Sequence, residues 1–531
     1  MSASKRIAFA VGVSWLSRAV SILANLFLMP ILFRYMGKEE LGLWFLLGNS
    51  QAFLSLLGMG IAPTLTRHIA LAKGKSGADP NVELSPESQQ HIADLVATGR
   101  IILQWLAVGV FFIAWASGYG LISQLELKEV SPQTVFWAWT LMCGGYAVGV
   151  WVSYLNCWLA GIGYVGWDSL ITTVISILTI VANITAVLLG GGLLELSVIF
   201  VLSSLIPRIA IWGFIVWKQP GLLAYKGKWN YENARLLIKP SLYWWLTDLG
   251  AFLILRTDAY FIALLRGTED IPSYQAAYQL VANLYILAIS FGKASSVFIS
   301  QAWQAGNLST VQRLTLKNAK IGLSIMAAGV AFLSFNGQEV LELWLGSGNF
   351  IGNGVIMVFC IMLTLEVQHV ILATCSRATE DEKYVASALS AGVLNIIFTW
   401  YLIRPLGLIG VALGTMLAQM LTNNWYAVYR PLTRLKISWK LYVNEVIIMV
   451  LTLGISCAIA SGIWQHILLG LNLDNFIIFI GGSALICSLF LWGTFWQCIL
   501  DINQRHYLEI RGKKIIKLLP IFPVRPKSKE N

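Results

Sequence analysis

Charge is what this sequence has least of. Only 12% of its 531 residues are Asp, Glu, Lys or Arg, about half the usual share of a soluble domain, which excludes a soluble enzyme tethered by a single anchor. Histidine is scarce as well: His68, His91, His369, His466 and His506 are scattered along the chain. The seven cysteines (Cys143, Cys157, Cys360, Cys375, Cys457, Cys487 and Cys498) fall in or at the ends of apolar runs, with no two at metal-ligand spacing. Neither a zinc site nor a nucleophile with a paired base assembles from these residues, so no catalytic residue, metal or cofactor is expected. Long polar segments between the apolar runs are also few. The longest predicted outer segment, around Glu126 and Glu129, carries no catalytic constellation, which argues against a membrane glycosyltransferase or polysaccharide polymerase. A channel is disfavoured too, because no carbonyl-rich filter repeat or ring of like charge is present.

Apolar residues are abundant, at 57% of the chain. Fourteen bilayer-length stretches of about 22 residues would occupy about 58% of it. The apolar runs place helices at 10–33, 42–65, 99–122, 134–160, 168–190, 193–217, 241–265, 273–300, 320–344, 352–375, 384–403, 407–429, 442–465 and 475–498. The expected fold class is an all-α integral membrane protein of about 14 transmembrane helices, with twelve as the alternative if two assignments fail.

The formal charge of +11 follows this pattern. Of 37 Lys and Arg residues, 28 fall at alternate segments that a cytoplasmic N-terminus places inside. Five (Arg34, Lys38, Lys128, Arg266 and Arg404) fall outside and four lie within spans. This asymmetry predicts an even number of spans with both termini cytoplasmic. The basic tail from Arg505 to Lys529, interrupted by Pro520, Pro523 and Pro526, reads as a strap on anionic membrane lipids, not as a nucleic-acid site. The first apolar run is too long for a signal peptide and lacks a small-residue cleavage site, so it is read as a span.

The chain also repeats. A shift of 230 places Gly37, Glu39, Glu40 and Trp44 on Gly267, Glu269, Asp270 and Tyr274, at the junction of first and second helix in each half. A shift of 212 places Val181, Asn183, Ile184, Leu194, Leu196 and Lys218 on Val393, Asn395, Ile396, Leu406, Leu408 and Arg430. The difference fits the long segment 66–98, which only the first half has. Six spans per half give both halves one orientation, as in transporters whose two bundles face each other across a cleft. The expected organisation is a six-helix bundle over 1–217, a cytoplasmic linker over 218–240 and a second six-helix bundle over 241–430. Two extra helices over 431–500 and a basic tail over 501–531 follow.

Ionisable residues within spans normally face a cavity or a partner. They are Arg18, Arg208, Asp248, Arg256, Asp258, Lys293 and Glu366. Arg18, Arg208, Asp248, Lys293 and Glu366 all lie about 10 to 14 Å inside the cytoplasmic ends of their spans at helical rise. Two helices carry polar stripes: Ser14, Ser17, Arg18, Ser21 and Asn25 share about 100° of arc, and Gln275, Gln279, Asn283, Ser290 and Lys293 about 80°. Such stripes line a wet cavity or glue helices together, and Arg208, after Pro207, is also placed to snorkel to the interface. The repeat sets Arg18 opposite Asp248. Arg256 and Asp258 point about 160° apart on one helix, so one of them needs a structural partner; Arg256 is the one expected inside. Four cations against three acids suit an anionic headgroup.

The stretch from Ser17-Arg18 through Arg34-Tyr35-Met36-Gly37-Lys38-Glu39-Glu40-Leu41-Gly42-Leu43-Trp44 resembles the opening of bacterial polysaccharide flippases. Leu57-Gly58-Met59-Gly60 and Arg67-His68-Ile69-Ala70 continue the likeness. Arg256-Thr257-Asp258, the segment from Tyr274 to Leu280, Asn395 and the run from Pro405 to Gly414 are similar to the same group, the lipid-linked oligosaccharide exporters of the multidrug/oligosaccharidyl-lipid/polysaccharide superfamily. The resemblance covers the first twelve spans. It implies two six-helix bundles around a central cavity and the flipping of an undecaprenyl-pyrophosphate-linked sugar across a bacterial inner membrane, serving O-antigen or exopolysaccharide biosynthesis. Partners would be the polymerase and glycosyltransferases of the same pathway. In that setting Arg18, Lys293 and Arg256 would hold the pyrophosphate, with Arg208, Ser14, Ser21, Asn25, Gln275, Gln279 and Asn283 contributing to the substrate site. Asp248, Glu366 and Asp258 are the candidates to couple a proton or Na+. A multidrug or organic-cation antiporter and a lipid II flippase are the alternatives of the same fold.

Overall fold

In a hydrocarbon environment every main-chain polar group must be paired within the segment, and the chain answers with helices almost throughout. The computed structural model describes residues 13, 20, 26–57, 60–74, 85–218, 220–304, 306–379, 381, 383–471, 475–500 and 505–506; among these no strand occurs. The helices are α1 (Leu26–Tyr35), α2 (Lys38–Leu57), α3 (Ile61–Gly74), α4 (Pro86–Ile122), α5 (Pro132–Val152), α6 (Tyr154–Gly161), α7 (Val165–Leu188), α8 (Leu193–Lys218) and the short α9 (Pro220–Leu223). They continue with α10 (Tyr231–Leu255), α11 (Asp258–Leu265), α12 (Ile271–Gln304), α13 (Leu308–Leu345), α14 (Asn353–Arg377), α15 (Val385–Leu406) and α16 (Leu408–Gln419). After a π-helical turn at Met420–Asn424 come α17 (Trp425–Arg434), the short α18 (Trp439–Tyr442), α19 (Ile448–Gly470) and α20 (Phe476–Thr494).

Nine helical stretches among the described residues are long and apolar enough to cross a membrane, one of them, Val385–Arg434, covering two predicted spans. The multi-pass, all-helical expectation therefore holds. Several expected spans are nevertheless broken. The stretch 42–65 divides into α2 and α3 beside Gly60, whose φ of +63° favours glycine. The stretch 241–265 divides at Arg256 and Thr257, so these two residues and Asp258 do not share one continuous helix. Most of the first predicted span lies outside the described residues.

The chain forms two compact units. The first comprises 1–283, 340–362 and 382–426; the second comprises 284–339, 363–381 and 427–531. The division runs through α12, α13, α14 and α17.

In the first unit, α3, α4, α6 and α8 share a core around Leu65, Ile69, Leu103, Leu159 and Ile211. A second core joins α2, α4 and α5 around Leu43, Val110, Met142 and Trp139. Helices approach closely where a side chain is missing: a Cβ on Gly118 would lie 2.1 Å from the Trp139 ring. The run from Pro405 to Gly414 works the same way. Gly407 (φ +59°) turns α15 into α16, and a Cβ on Gly410 would lie 2.0 Å from the Leu402 carbonyl. In the second unit, α19 and α20 pack on α13 through Ala328, Ala331, Leu453, Cys457 and Cys487. Lys320 Nζ of α13 also pairs with Glu445 Oε2 at 2.5 Å.

Candidate functional site

Within the first unit, α2 and α3 meet the segment 241–268, which the expected repeat assigns to the other half. At one end Gly42 lies against the Thr268 main chain so closely that a Cβ would stand 1.9 Å from its carbonyl oxygen. Further along, the Tyr260 hydroxyl donates to Ser50 Oγ at 2.9 Å, and Arg256 Nη1 reaches Asn49 Oδ1 at 3.5 Å. Beyond the α2–α3 break, Thr64 Oγ1 and Ser241 Oγ are 3.0 Å apart, and Ser241 also donates to the Gly60 carbonyl at 3.2 Å. A cavity of about 280 Å³ lies beside this seam, lined by Leu43, Leu47, Trp139, Phe252 and Tyr260.

The end of the seam at Gly42 is tied by acids. Glu39, 1% exposed, accepts main-chain N–H bonds from Lys128 at 2.8 Å, from Val130 at 3.1 Å and from Glu129. Glu40 accepts from the Leu193 N–H at 2.7 Å. Glu269 and Asp270, which the expected repeat aligns with them, are placed differently. Glu269 pairs with Lys128 across the halves at 3.0 Å, and Asp270 pairs with Arg266 at 3.2 Å. The Glu269 carboxylate, as hydrogen-bond acceptor and as charge, holds the Lys128 ammonium above its ordinary pKa. Sequence reasoning used Gly37, Glu39 and Glu40 only as markers of resemblance and of the repeat. Their signal was strong all the same, because two adjacent acids at the start of an apolar helix also suit its N-terminus.

Asp258 sits in a different setting from Arg256. Tyr274 donates to its Oδ2 at 2.7 Å and Thr415 to its Oδ1 at 3.1 Å. Nearby, Asn395 Nδ2 donates to the Leu253 carbonyl at 2.8 Å and to Thr257 Oγ1 at 3.1 Å, while Thr399 donates to its Oδ1 at 3.1 Å. Asn395 thus satisfies a carbonyl left open where α10 ends, which accounts for the break at Arg256–Thr257. Arg256 is exposed. Tyr274, Asn395 and Thr415 were not among the predicted site residues, although Tyr274 and Asn395 stood in the repeat.

The other predicted residues are distributed as follows. Arg18, Ser14, Ser21 and Asn25 lie outside the described residues. Asp248 and Lys293 lie on α10 and α12, with their side chains outside the described set. Gln275, Gln279 and Asn283 are half-buried on α12, and Gln279 donates to Asn283 at 3.1 Å. Asn283 also lines a groove of about 500 Å³ with Leu26, Phe27, Pro30, Leu280 and Trp344, where Trp344 Nε1 donates to the Leu26 carbonyl at 2.8 Å. Arg208 lies within the first half with Asp168 and Tyr146 as its electrostatic neighbours, and its Nε has no hydrogen-bond partner. Asp168 in turn accepts from Asn156 at 2.7 Å. Glu366 belongs to the second unit, buried at 8% exposure with Oε2 unpartnered. Among the described residues no group of three His, Cys, Asp or Glu is placed to hold a metal ion.

The second unit holds one further charged cluster, which sequence reasoning did not single out. Asp381, 3% exposed, takes a bidentate pair from Arg430 at 2.7 and 2.6 Å and a bond from Ser376 at 3.0 Å. Arg434 bonds Thr379 at 2.9 Å and lies over the Trp303 ring at 5.1 Å. Burial would raise the Asp381 carboxyl. The hydrogen bonds from Arg430 and Ser376 and the charges of Arg430 and Arg434 outweigh it, and its pKa lies below the ordinary value.

The described helices have counterparts among solved transporters. The chain superposes on "Lipid II flippase MurJ, inward closed conformation" with a TM-score of 0.66 and 16% identity, covering 92% of this chain and 99% of that one. It superposes on an inward-facing multidrug resistance MATE family transporter of the MOP superfamily with a TM-score of 0.64 and 16% identity, covering 78% of this chain and 96% of that one. Its fold is that of these two transporters. In sequence this chain is 25% identical over 355 residues to the "Probable low-salt glycan biosynthesis flippase Agl15" of Haloferax volcanii, covering 65% of this chain and 70% of that protein. It is 20% identical over 428 residues to the "Putative O-antigen transporter" of Salmonella typhi, covering 78% and 93%. No protein-family profile matches the chain.

Proposed function

We propose that this MOP-fold protein carries a polyprenyl-pyrophosphate-linked oligosaccharide from the cytoplasmic to the outer leaflet of a bacterial inner membrane by alternating access. Both termini are cytoplasmic in this reading. The observation that carries it is that both sequence relatives are named for glycan flipping or O-antigen transport. The larger share of the chain matched by a lipid flippase than by a multidrug transporter supports a lipid-borne cargo. The seam between the repeat halves, with its tight Gly42–Thr268 approach and its Lys128–Glu269 pair, is the contact that must part for the cargo to leave outward.

In this reading Arg18, Lys293 and Arg256 bind the pyrophosphate, with Arg208, Ser14, Ser21, Asn25, Gln275, Gln279 and Asn283 as further substrate contacts. Arginine and lysine suit that role because they offer charge-assisted bonds to phosphate oxygens. Asp248, Glu366 and Asp258 couple transport to a proton or Na+. The two bundles are those of the repeat, over 1–217 and 241–430, with 431–500 appended. The cargo is supplied by glycosyltransferases and passed to a polymerase.

The test is a reconstituted flipping assay in proteoliposomes. A fluorescent polyprenyl-pyrophosphate oligosaccharide in the vesicle membrane should lose its protection from an impermeant quencher only when the protein is present. An imposed ion gradient should change that rate. Transport of a lipophilic organic cation, with no movement of the lipid-linked sugar, would replace this reading by the multidrug one.

A further inference from the structure

From Ile101 to Ile122 helix α4 carries no charge. At helical rise that run is about 33 Å long, close to the ~30 Å of a bilayer's hydrocarbon core. Arg100, exposed at its start, therefore stands at headgroup level. One turn deeper a groove of about 400 Å³ opens between α4 and α5. Gln104, Val108, Phe111 and Phe112 form one wall, and Gly144, Val148 and Trp151 form the other. Val108, Phe112 and Val148 are 45%, 61% and 36% exposed, so the groove lies on the surface of these two spans. The walls run in step: the Arg100 guanidinium lies over the Tyr154 ring at 6.0 Å, and Gln104 and Trp151 follow at helical spacing on the same faces. The floor has room, since a Cβ on Gly144 would meet nothing within 4 Å.

Gln104 lies about 6 Å and Phe112 about 18 Å beyond Arg100 along the helix axis, and the hydrocarbon of one leaflet is about 15 Å deep. Cation, amide and apolar wall thus follow one another within a single leaflet. A phospholipid presents its groups in the same order: phosphate, ester carbonyl, acyl chain. The Arg100 guanidinium offers charge-assisted bonds to phosphate oxygens, and the Gln104 amide can donate to a carbonyl. Gln104 forms no hydrogen bond among the described residues, and hydrocarbon supplies no water to pair with it. A polyprenyl chain, longer than one leaflet is deep, would run past Phe112, whereas an acyl chain matches the length of the groove.

We propose that this groove binds a membrane phospholipid, with its phosphate on Arg100, an ester carbonyl on Gln104 and one acyl chain running past Gly144 to Phe112. The binding rests on the multi-pass helical fold and not on the flippase reading; only the leaflet, the cytoplasmic one, is taken from that reading's topology. The test is native mass spectrometry of the delipidated full-length protein in detergent, titrated with phosphatidylglycerol. One retained phospholipid per chain is expected, with a rise in thermal midpoint. Arg100→Ala, at an exposed position, should weaken retention by about tenfold, as loss of a charge-assisted bond does. Gly144→Trp, which fills the groove, should weaken it as much, while Gly144→Ala, whose Cβ has room, should leave it unchanged. If the tryptophan variant does not fold, Arg100→Ala decides the matter. Absence of a retained phospholipid overturns the proposal, as does retention that Arg100→Ala and Gly144→Trp both leave unchanged. Retention of a polyprenyl phosphate in place of phosphatidylglycerol would give the groove to the cargo, and a dimer that Gly144→Trp dissociates without any bound lipid would give it to a second copy; either result overturns the proposal.

Discussion

Glu39 offers the sharpest structural test. Its carboxylate accepts the N–H groups of three consecutive residues, Lys128, Glu129 and Val130, and so pins the loop between α4 and α5 to the start of α2. Each bond to a charged acceptor contributes about 1.5 to 3 kcal/mol, but the loop is near solvent and water will replace part of what is lost. Glu39→Ala should therefore destabilise the protein by about 3 kcal/mol, less than the sum of the three bonds. Glu39→Gln keeps one acceptor but turns an NH2 toward an N–H, so about half that loss is expected. The assay is unfolding by denaturing detergent in mixed micelles, paired with the labelling rate of a cysteine introduced at Lys128, which should rise in the order wild type, Gln, Ala. A Glu39→Ala protein within about 0.5 kcal/mol of wild type, the range of an uninvolved surface site, with unchanged labelling, would refute the reasoning.

Gly42→Leu should prevent the approach to Thr268, because even its Cβ would meet the carbonyl at 1.9 Å; increased labelling of a cysteine at Glu269 would report the opened seam, and unchanged labelling would contradict it. Arg430→Ala should cost about 3 to 5 kcal/mol, because it strips a buried carboxylate of its charge partner, and the double substitution with Asp381→Asn should recover part of that loss. Since the folded Asp381 pKa is lowered, its contribution is present above the unfolded value near about 3.9 and disappears as pH falls through the folded one; a pH series on Asp381→Asn lacking that acid limb is the expected result. Arg18→Ala and Lys293→Ala should abolish polymer export while leaving the protein in the membrane, and normal export in both would remove these residues from the substrate site. Cysteines near Lys75, Lys228 and Lys436 should label only from the cytoplasmic side and those near Lys128 and Glu269 only from outside, with any reversal sinking the fourteen-span topology.

The fold class was legible in the sequence because bilayer length and main-chain pairing leave few choices. Apolar runs long enough to span, and the period of charge between them, required nothing from tertiary contacts. The breaks inside spans were not legible. Asn395 looked like any polar residue in an apolar run until its amide was found on the carbonyls that end α10, and the π turn at Met420–Asn424 leaves no mark that hydropathy can read.

Intramembrane charge could be enumerated from the sequence, since ionisable residues in apolar runs are rare, but not paired from it. Arg256 and Asp258 stand two residues apart, and the expectation that their side chains part rested on one continuous helix, which breaks between them. Only the structure gave Asp258 to Tyr274 and Thr415 and sent Arg256 toward Asn49. Likewise the expected repeat aligns Glu39 with Glu269, yet one accepts three main-chain N–H groups and the other an exposed lysine. Composition and spacing act along the chain and so determine which segments are helices in a membrane. Hydrogen-bond partners are set by distances between segments far apart in sequence, and those exist only after the helices pack.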